Sequence, residues 1–249
     1  MSEFSGKIYV VAGASSGIGR SVSLELARLG ANVVLIARNS APLEKLLGEM
    51  DKGCHTILPF DMARVNDIQG MIEGVYAQYG QLDGCVYCVG TGPWARLRDT
   101  LPDMMQEAML LNCTAFVELV RWIIRKKKKA QGMRIVGISS LASETREKYY
   151  AAYAASKAAM EASIRCIATE LIAKNATINA VRPGFVATPR LAALEDVTGD
   201  VEATIKANGF QPQGLISPED VARMAVYLLS DAAKSITGAC LPVNGGAAC

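Results

Sequence analysis

One histidine, His55, is all that the 249-residue chain contains. That scarcity argues against a histidine-rich zinc centre and against a Ser-His-Asp hydrolase, since each needs an imidazole at a defined place. No apolar run reaches the roughly 18 residues that a membrane-crossing helix requires. The polar segment 1–7 leads straight into an apolar run, which leaves no room for a signal peptide. Neither sign of charge dominates. Twenty-six Lys and Arg face 24 Asp and Glu, for a net charge of +2, so bulk charge gives no reason to expect a nucleic acid or a membrane surface as partner. The seven cysteines are odd in number and scattered. They fit reduced thiols in a cytoplasmic protein better than a disulfide framework. Repeats, low-complexity tracts and linkers are also missing, so residues 1–249 read as one domain. What the chain does have is apolar residues, 51% against 20% charged, enough for a sizeable core.

Two patterns alternate along it. Short apolar runs at 8–12, 32–37, 55–60, 82–87, 134–138, 177–181 and 239–243 read as strands buried on both faces. Helical stretches lie between them, at 18–29, 41–50, 65–79, 103–129, 152–174 and 218–230. This alternation predicts an α/β fold: a doubly wound domain of the Rossmann type, with a seven-stranded parallel sheet flanked by helices. The least regular stretch, 188–217, follows a strand end. In such sheets ligands bind at the carboxyl ends of strands, so it is the expected substrate loop.

The first strand runs into Gly13-Ala14-Ser15-Ser16-Gly17-Ile18-Gly19, and a helix follows. Glycines let the turn adopt positive φ and let the backbone approach a pyrophosphate, while the helix offers free N–H groups to the phosphates. A tight strand–helix turn is the plain alternative, but the first βα turn is where a dinucleotide site belongs. The second strand ends in Ile36-Ala37-Arg38-Asn39. No acid stands there to bond a ribose 2′-hydroxyl, as NAD sites usually require. Arg38, with help from Ser15, suits the 2′-phosphate of NADP instead, and Asn39 beside it is taken as a further cofactor-binding residue. The alternative is an arginine lying in solvent.

Tyr153 and Lys157 are four apart on an expected helix and share a face. Ser140 closes the fifth strand, 13 residues before Tyr153. Reduction of a ketone needs a proton for the developing alkoxide. A tyrosine with an ordinary pKa near 10 is poorly matched to that task at neutral pH, and a lysine ammonium beside it favours the phenolate. A serine hydroxyl can hold the substrate oxygen.

Taken together these residues resemble the short-chain dehydrogenase/reductase family, closest in pattern to its 3-oxoacyl-carrier-protein reductases, over nearly the whole chain. The resemblance implies a catalytic tetrad of Asn112, Ser140, Tyr153 and Lys157. It also implies that Asp61 bonds the adenine, that Gly90 lines the cofactor, and that Pro183, Gly184, Val186 and Thr188 hold the nicotinamide end. Tyr87-Cys88-Val89-Gly90 stands where the family usually carries Asn-Asn-Ala-Gly, and Val243-Asn244-Gly245-Gly246 replaces Val-Asp-Gly-Gly. The activity implied is NADPH-dependent reduction of a small-molecule carbonyl substrate, with a carrier-protein-linked 3-oxoacyl thioester preferred. An alcohol, sugar or steroid dehydrogenase and a non-catalytic NADP-binding regulator are the alternatives.

Cys85 and Cys88 are three apart on a strand, so they face opposite sides and neither pair up nor share a metal. No metal is expected. The basic run 125–129 ends the fourth helical stretch. It reads either as a solvated C-terminal cap or as a docking patch for an acidic carrier protein, with Lys174 contributing. Trp94 borders either the substrate or a packed loop. The helices 103–129 and 152–174 carry more than one apolar face; by resemblance they form the interface of a homodimer, often within a homotetramer.

Overall fold

The computed structural model describes residues 2–125, 132–145, 147–192, 202–203, 205 and 209–247. Seven strands form one sheet: β1 (Ile8–Ala12), β2 (Asn32–Ala37), β3 (Thr56–Pro59), β4 (Gly84–Tyr87), β5 (Arg134–Ile138), β6 (Thr177–Pro183) and β7 (Cys240–Val243). Every pairing is parallel, in the order β3-β2-β1-β4-β5-β6-β7. The winding reverses between β1 and β4, where Val10 stands beside Val34 on one side and Cys85 on the other. A doubly wound sheet opens a ligand crevice at that reversal, beyond the carboxyl ends of the strands.

The strands are buried on both faces because each face has its own helical layer. Helices α1 (Gly17–Arg28), α2 (Ser40–Glu49), α3 (Ile68–Tyr79), α4 (Pro102–Met109), α5 (Ala115–Ile124), α6 (Ala151–Leu171) and α7 (Pro218–Leu229) supply the layers. Val10, Ala12, Val34 and Ile36 point into a core with Ile72, Phe116 and Ile164 of α3, α5 and α6. Their neighbours Tyr9, Val11, Val33 and Leu35 point the other way, toward Leu26, Leu43 and Leu228 of α1, α2 and α7. The same period of two separates Cys85, in the first core, from Cys88, packed against the second. Burial pushes the Cys88 thiol up to about 12. Among the described residues no cluster of three His, Cys, Asp or Glu is placed to hold a metal, and no helix is long and apolar enough to cross a membrane.

Local signals fix the helix ends. Ser217 caps α7, its hydroxyl accepting from Asp220 N at 3.1 Å, with Pro218 in the first turn. Gly80 ends α3 at φ 76°, the left-handed conformation that glycine adopts freely.

The expected helix at 103–129 is helical from Pro102 to Ile124 but not uniformly α-helical. α4 gives way to a π-helical turn, Leu110–Thr114, before α5 begins. A π turn inserts a single extra residue, a change of register too local for hydrophobic periodicity to single out. The side chain of Asn112, inside that turn, accepts from Thr91 N at 2.9 Å and donates to Thr91 O at 2.6 Å, so the loop after β4 is fastened to the widened turn. Of the basic run, 126–129 lie outside the described residues. So do 193–201, 204 and 206–208 of the expected substrate loop. Its flanks are tied down by a parallel bridge from Val186 to Ile216 and by the buried Gln211, which bonds Phe185 and Gly214.

Candidate active site

A cavity of about 700 Å³ lies at the winding reversal. One end is built by the turn after β1. Gly13 and Gly17 sit at φ +85° and +51°. A Cβ on Gly13 would stand 2.9 Å from the backbone of Cys88 and Val89, and one on Gly19 would stand 2.1 Å from Gly13 O. Side chains are therefore excluded where the turn, the start of α1 and the loop after β4 converge. Ser16 is the N-cap of α1 and its side chain makes no capping bond. The result is a bare backbone cradle at a helix N-terminus, which fits a pyrophosphate. Ser15, Ser16, Gly17, Ile18 and Gly19 line it, with Arg38 and Asp61 at the same end. Asp61 Oδ1 also accepts from Ala63 N at 3.0 Å. Asn39 is not brought to the cavity. It is the N-cap of α2, because the chain turns into the helix directly after Arg38.

The opposite end gathers the candidate catalytic groups. β5 delivers Ser140, whose Oγ accepts from Ala142 N at 3.2 Å at the start of a short 3-10 turn. α6 places Tyr153 and Lys157 one turn apart on the face toward the cavity. Lys157 is buried, its Nζ donating to Ile138 O at 2.7 Å and lying 5.8 Å from the Tyr153 ring centre. Gly90 closes the group from below: a Cβ there would meet Asn112 Oδ1 at 3.0 Å and Lys157 Nζ at 3.2 Å. Asn112 does not line the cavity. It is fully buried behind the wall and donates to Ser156 Oγ at 2.7 Å. Pro183, Gly184, Val186 and Thr188, at and after the end of β6, form the remaining wall.

The electrostatics suit proton transfer. Burial pushes Tyr153 up, but Lys157, then Arg190, then a hydrogen bond from Ser140 pull it down, and it stands below the ordinary tyrosine value. Burial likewise draws Lys157 below the ordinary lysine value, partly offset by Tyr153. Tyr150, in the same wall, is pushed up to about 12, chiefly by burial.

Sequence motifs do not single out several cavity residues. Arg190 lies over Tyr153, and Thr91, Glu107, Glu147 and Tyr150 line the walls. Arg190 follows Thr188-Pro189 directly, and that adjacency is the only signal that could have pointed to it. Trp94 lines the cavity and stacks edge-on against Tyr149, ring centres 4.9 Å apart.

Residues 13–248 match the family model described as enoyl-(acyl carrier protein) reductase. The chain is 31% identical over 246 residues to the 3-oxoacyl-[acyl-carrier-protein] reductase FabG of Pseudomonas aeruginosa, covering 97% of each chain. Among solved structures it is similar to a short-chain type dehydrogenase/reductase from Mycobacterium ulcerans, with TM-score 0.90 and 29% identity over 99% of this chain and 90% of that one. It is also similar to a 7α-hydroxysteroid dehydrogenase complexed with NADH and 7-oxo glycochenodeoxycholic acid, with TM-score 0.91 and 27% identity over 98% and 95%.

Proposed function

The chain belongs to the short-chain dehydrogenase/reductase family of oxidoreductases, and we propose that it reduces a ketone to a secondary alcohol with NADPH. The observation that carries this reading is the convergence of Ser140, Tyr153 and Lys157 on one end of a cavity whose other end is a glycine cradle flanked by Arg38. The cradle and the start of α1 would hold the pyrophosphate. Arg38 and Ser15 would hold the 2′-phosphate, Asp61 the adenine, and Pro183, Gly184, Val186 and Thr188 the nicotinamide end. NADPH, when bound, supplies the hydride.

The chain's own groups handle the oxygen and the proton. Ser140 donates a hydrogen bond to the substrate oxygen and holds it beside Tyr153. Tyr153 gives its phenolic proton to that oxygen as negative charge develops there. A tyrosine held below its ordinary value by Lys157 is a stronger proton donor than a free one. Lys157 stabilises the phenolate left behind. Asn112, fixed by Thr91 and Ser156, keeps the π turn and the loop carrying Gly90 in place beside Lys157.

The name of the Pseudomonas relative supports a carrier-linked 3-oxoacyl thioester as substrate. The free cysteines among the described residues support a cytoplasmic setting, and the family resemblance supports a homodimer or homotetramer.

A panel of ketones assayed by NADPH consumption tests the reading. Tyr153→Phe keeps the ring and loses the proton, so reduction should fall by about 10²–10⁴-fold while NADPH still binds. Near-normal turnover in that variant would remove Tyr153 from the mechanism.

A further inference from the structure

Arg190 is a cation in the cavity to which the scheme above assigns no ligand. It leaves the segment after β6, and its guanidinium carbon lies 4.9 Å from the centre of the Tyr153 ring. Nη1 reaches the loop after β4 and donates to Gly90 O at 3.3 Å. A Cβ on Gly92 would stand 2.4 Å from Tyr153 Cδ2 and 2.9 Å from Arg190 Nη2, so the ring and the guanidinium share one bare stretch of backbone. Among the described residues its hydrogen bond is to Gly90 and its ring contact is Tyr153, and no carboxylate there lies within ion-pair distance of it.

A guanidinium has five N–H donors in a fixed fork; Arg190 is exposed and makes one long bond to a carbonyl, so most of its donors face water that a ligand can displace. Two carboxyl groups line the same cavity, Glu107 and Glu147. Glu147 accepts from Thr145 Oγ1 at 3.0 Å, and burial pushes it up, toward its neutral form. That weakens the repulsion it would offer an entering anion.

We propose that Arg190 binds a carboxylate of the substrate, set within a carbon or two of the ketone, so that the preferred substrates are short oxo acids. The inference rests on the ketone-reductase reading and narrows its substrate. The Tyr153 hydroxyl addresses the ketone oxygen, and the guanidinium over the same ring addresses what is attached next to it. A carboxylate matches the fork with two parallel bonds. An ester or thioester at that place offers one neutral acceptor and leaves the charge unpaired. This local chemistry therefore points away from an uncharged 3-oxoacyl thioester.

The test pairs acetoacetate with methyl acetoacetate and with its N-acetylcysteamine thioester. Calorimetric titration of the NADP⁺-loaded protein reads binding, and kcat/KM with NADPH reads use. Wild type should favour the acid in both. Arg190→Met should lower acetoacetate affinity by about 10- to 100-fold, the scale of a lost charge-assisted pair, and should collapse the acid-to-ester ratio by a similar factor. Arg190→Lys should recover part of it. Equal or better use of the ester or thioester by wild type, or an acid-to-ester ratio that Arg190→Met leaves alone, would overturn the proposal. If acetoacetate binds through Arg190 yet no ketone is reduced, the anion site stands and the reductase reading is what fails.

Discussion

Glu161 and Arg182 form a two-pronged ion pair buried directly behind the turn that carries Ser140. Arg182 Nε and Nη2 donate to the two carboxylate oxygens at 3.0 and 2.7 Å, and both side chains are under a tenth exposed. Ser139 and Ser143, on either side of Ser140, donate to the same Oε1 at 2.6 and 2.8 Å. Glu161 lies one turn after Lys157 on α6, and Arg182 directly precedes Pro183 on β6. A second acid, Glu144, meets Arg182 Nη1 at 2.7 Å. The pair thus joins the turn that carries Ser140, the helix that carries Tyr153 and Lys157, and the cavity wall at the end of β6.

Breaking such a pair from one side leaves a buried charge without its partner. Glu161→Ala should destabilise the fold by about 3–5 kcal/mol, whereas Glu161→Met combined with Arg182→Met should cost far less. Urea unfolding of the three proteins checks this, and equal losses in both variants would mean the charges act separately. The pH dependence follows from the same contacts. Burial raises the Glu161 carboxyl, but bonds from Arg182, Ser139 and Ser143 outweigh that and hold it below the ordinary carboxylate value. Its contribution is therefore complete above the unfolded-state value and disappears as pH falls through the lower folded value. Glu161→Gln should remove that part of the acid sensitivity.

Lys157 is the leading attraction that draws Tyr153 down against burial. If Tyr153 donates the proton as proposed, ketone reduction needs the protonated phenol and its rate should fall on the alkaline side as Tyr153 ionises. In Lys157→Met that limb should move to higher pH, together with a loss of rate at neutrality. Oxidation of the product alcohol needs the phenolate, and its onset should shift the same way. Initial rates in both directions across pH decide the matter: a limb that stays in place means another group sets it.

The sheet was readable because strands buried on both faces give continuous apolar runs, and all seven observed strands overlap expected ones. The glycine turn was readable because contact with a phosphate requires the absence of side chains, and absence shows in a sequence. Asn39 does not line the cavity, because the chain directly after Arg38 enters α2 at Asn39. The π turn around Asn112 left no trace in periodicity. Arg190, Glu161 and Arg182 were invisible for a different reason. Each draws its meaning from a partner 21 to 100 positions away, and no local spacing announces such a meeting.

The cradle makes a sharp prediction about two glycines. Gly19→Ala would drive a Cβ to 2.1 Å from the Gly13 carbonyl. A backbone atom cannot swing aside, so the turn must open and dinucleotide affinity should fall by at least tenfold. Gly48, inside α2, has nothing within 4 Å of a Cβ. Gly48→Ala should stabilise the protein by about 0.5–1 kcal/mol, the helix-propensity gain, with nucleotide binding unaltered. Fluorescence titration with NADPH and thermal melts separate the two. Normal binding in Gly19→Ala would show that the turn tolerates what its geometry forbids.

The proposed preference for NADPH rests on Arg38. It stands at the end of β2, lining the cavity at the cradle end, where an acid would serve a free 2′-hydroxyl. NADPH and NADH differ only in the phosphate on that oxygen, so the arginine can tell them apart only through that group. Arg38→Ala should weaken NADPH by about 10- to 100-fold, the scale of a charge-assisted hydrogen bond, and change NADH little. Added salt should weaken NADPH more in wild type than in the variant, since an exposed charge pair is screened over about 8 Å at physiological ionic strength. Arg38→Asp goes further: it repels the phosphate and can accept from a ribose hydroxyl, so the preference should invert toward NADH. Binding constants for both cofactors across the three proteins give the answer. Equal losses of NADPH and NADH in Arg38→Ala would make Arg38 a structural support for the turn after β2, and the assignment of NADP would lose its one specific contact.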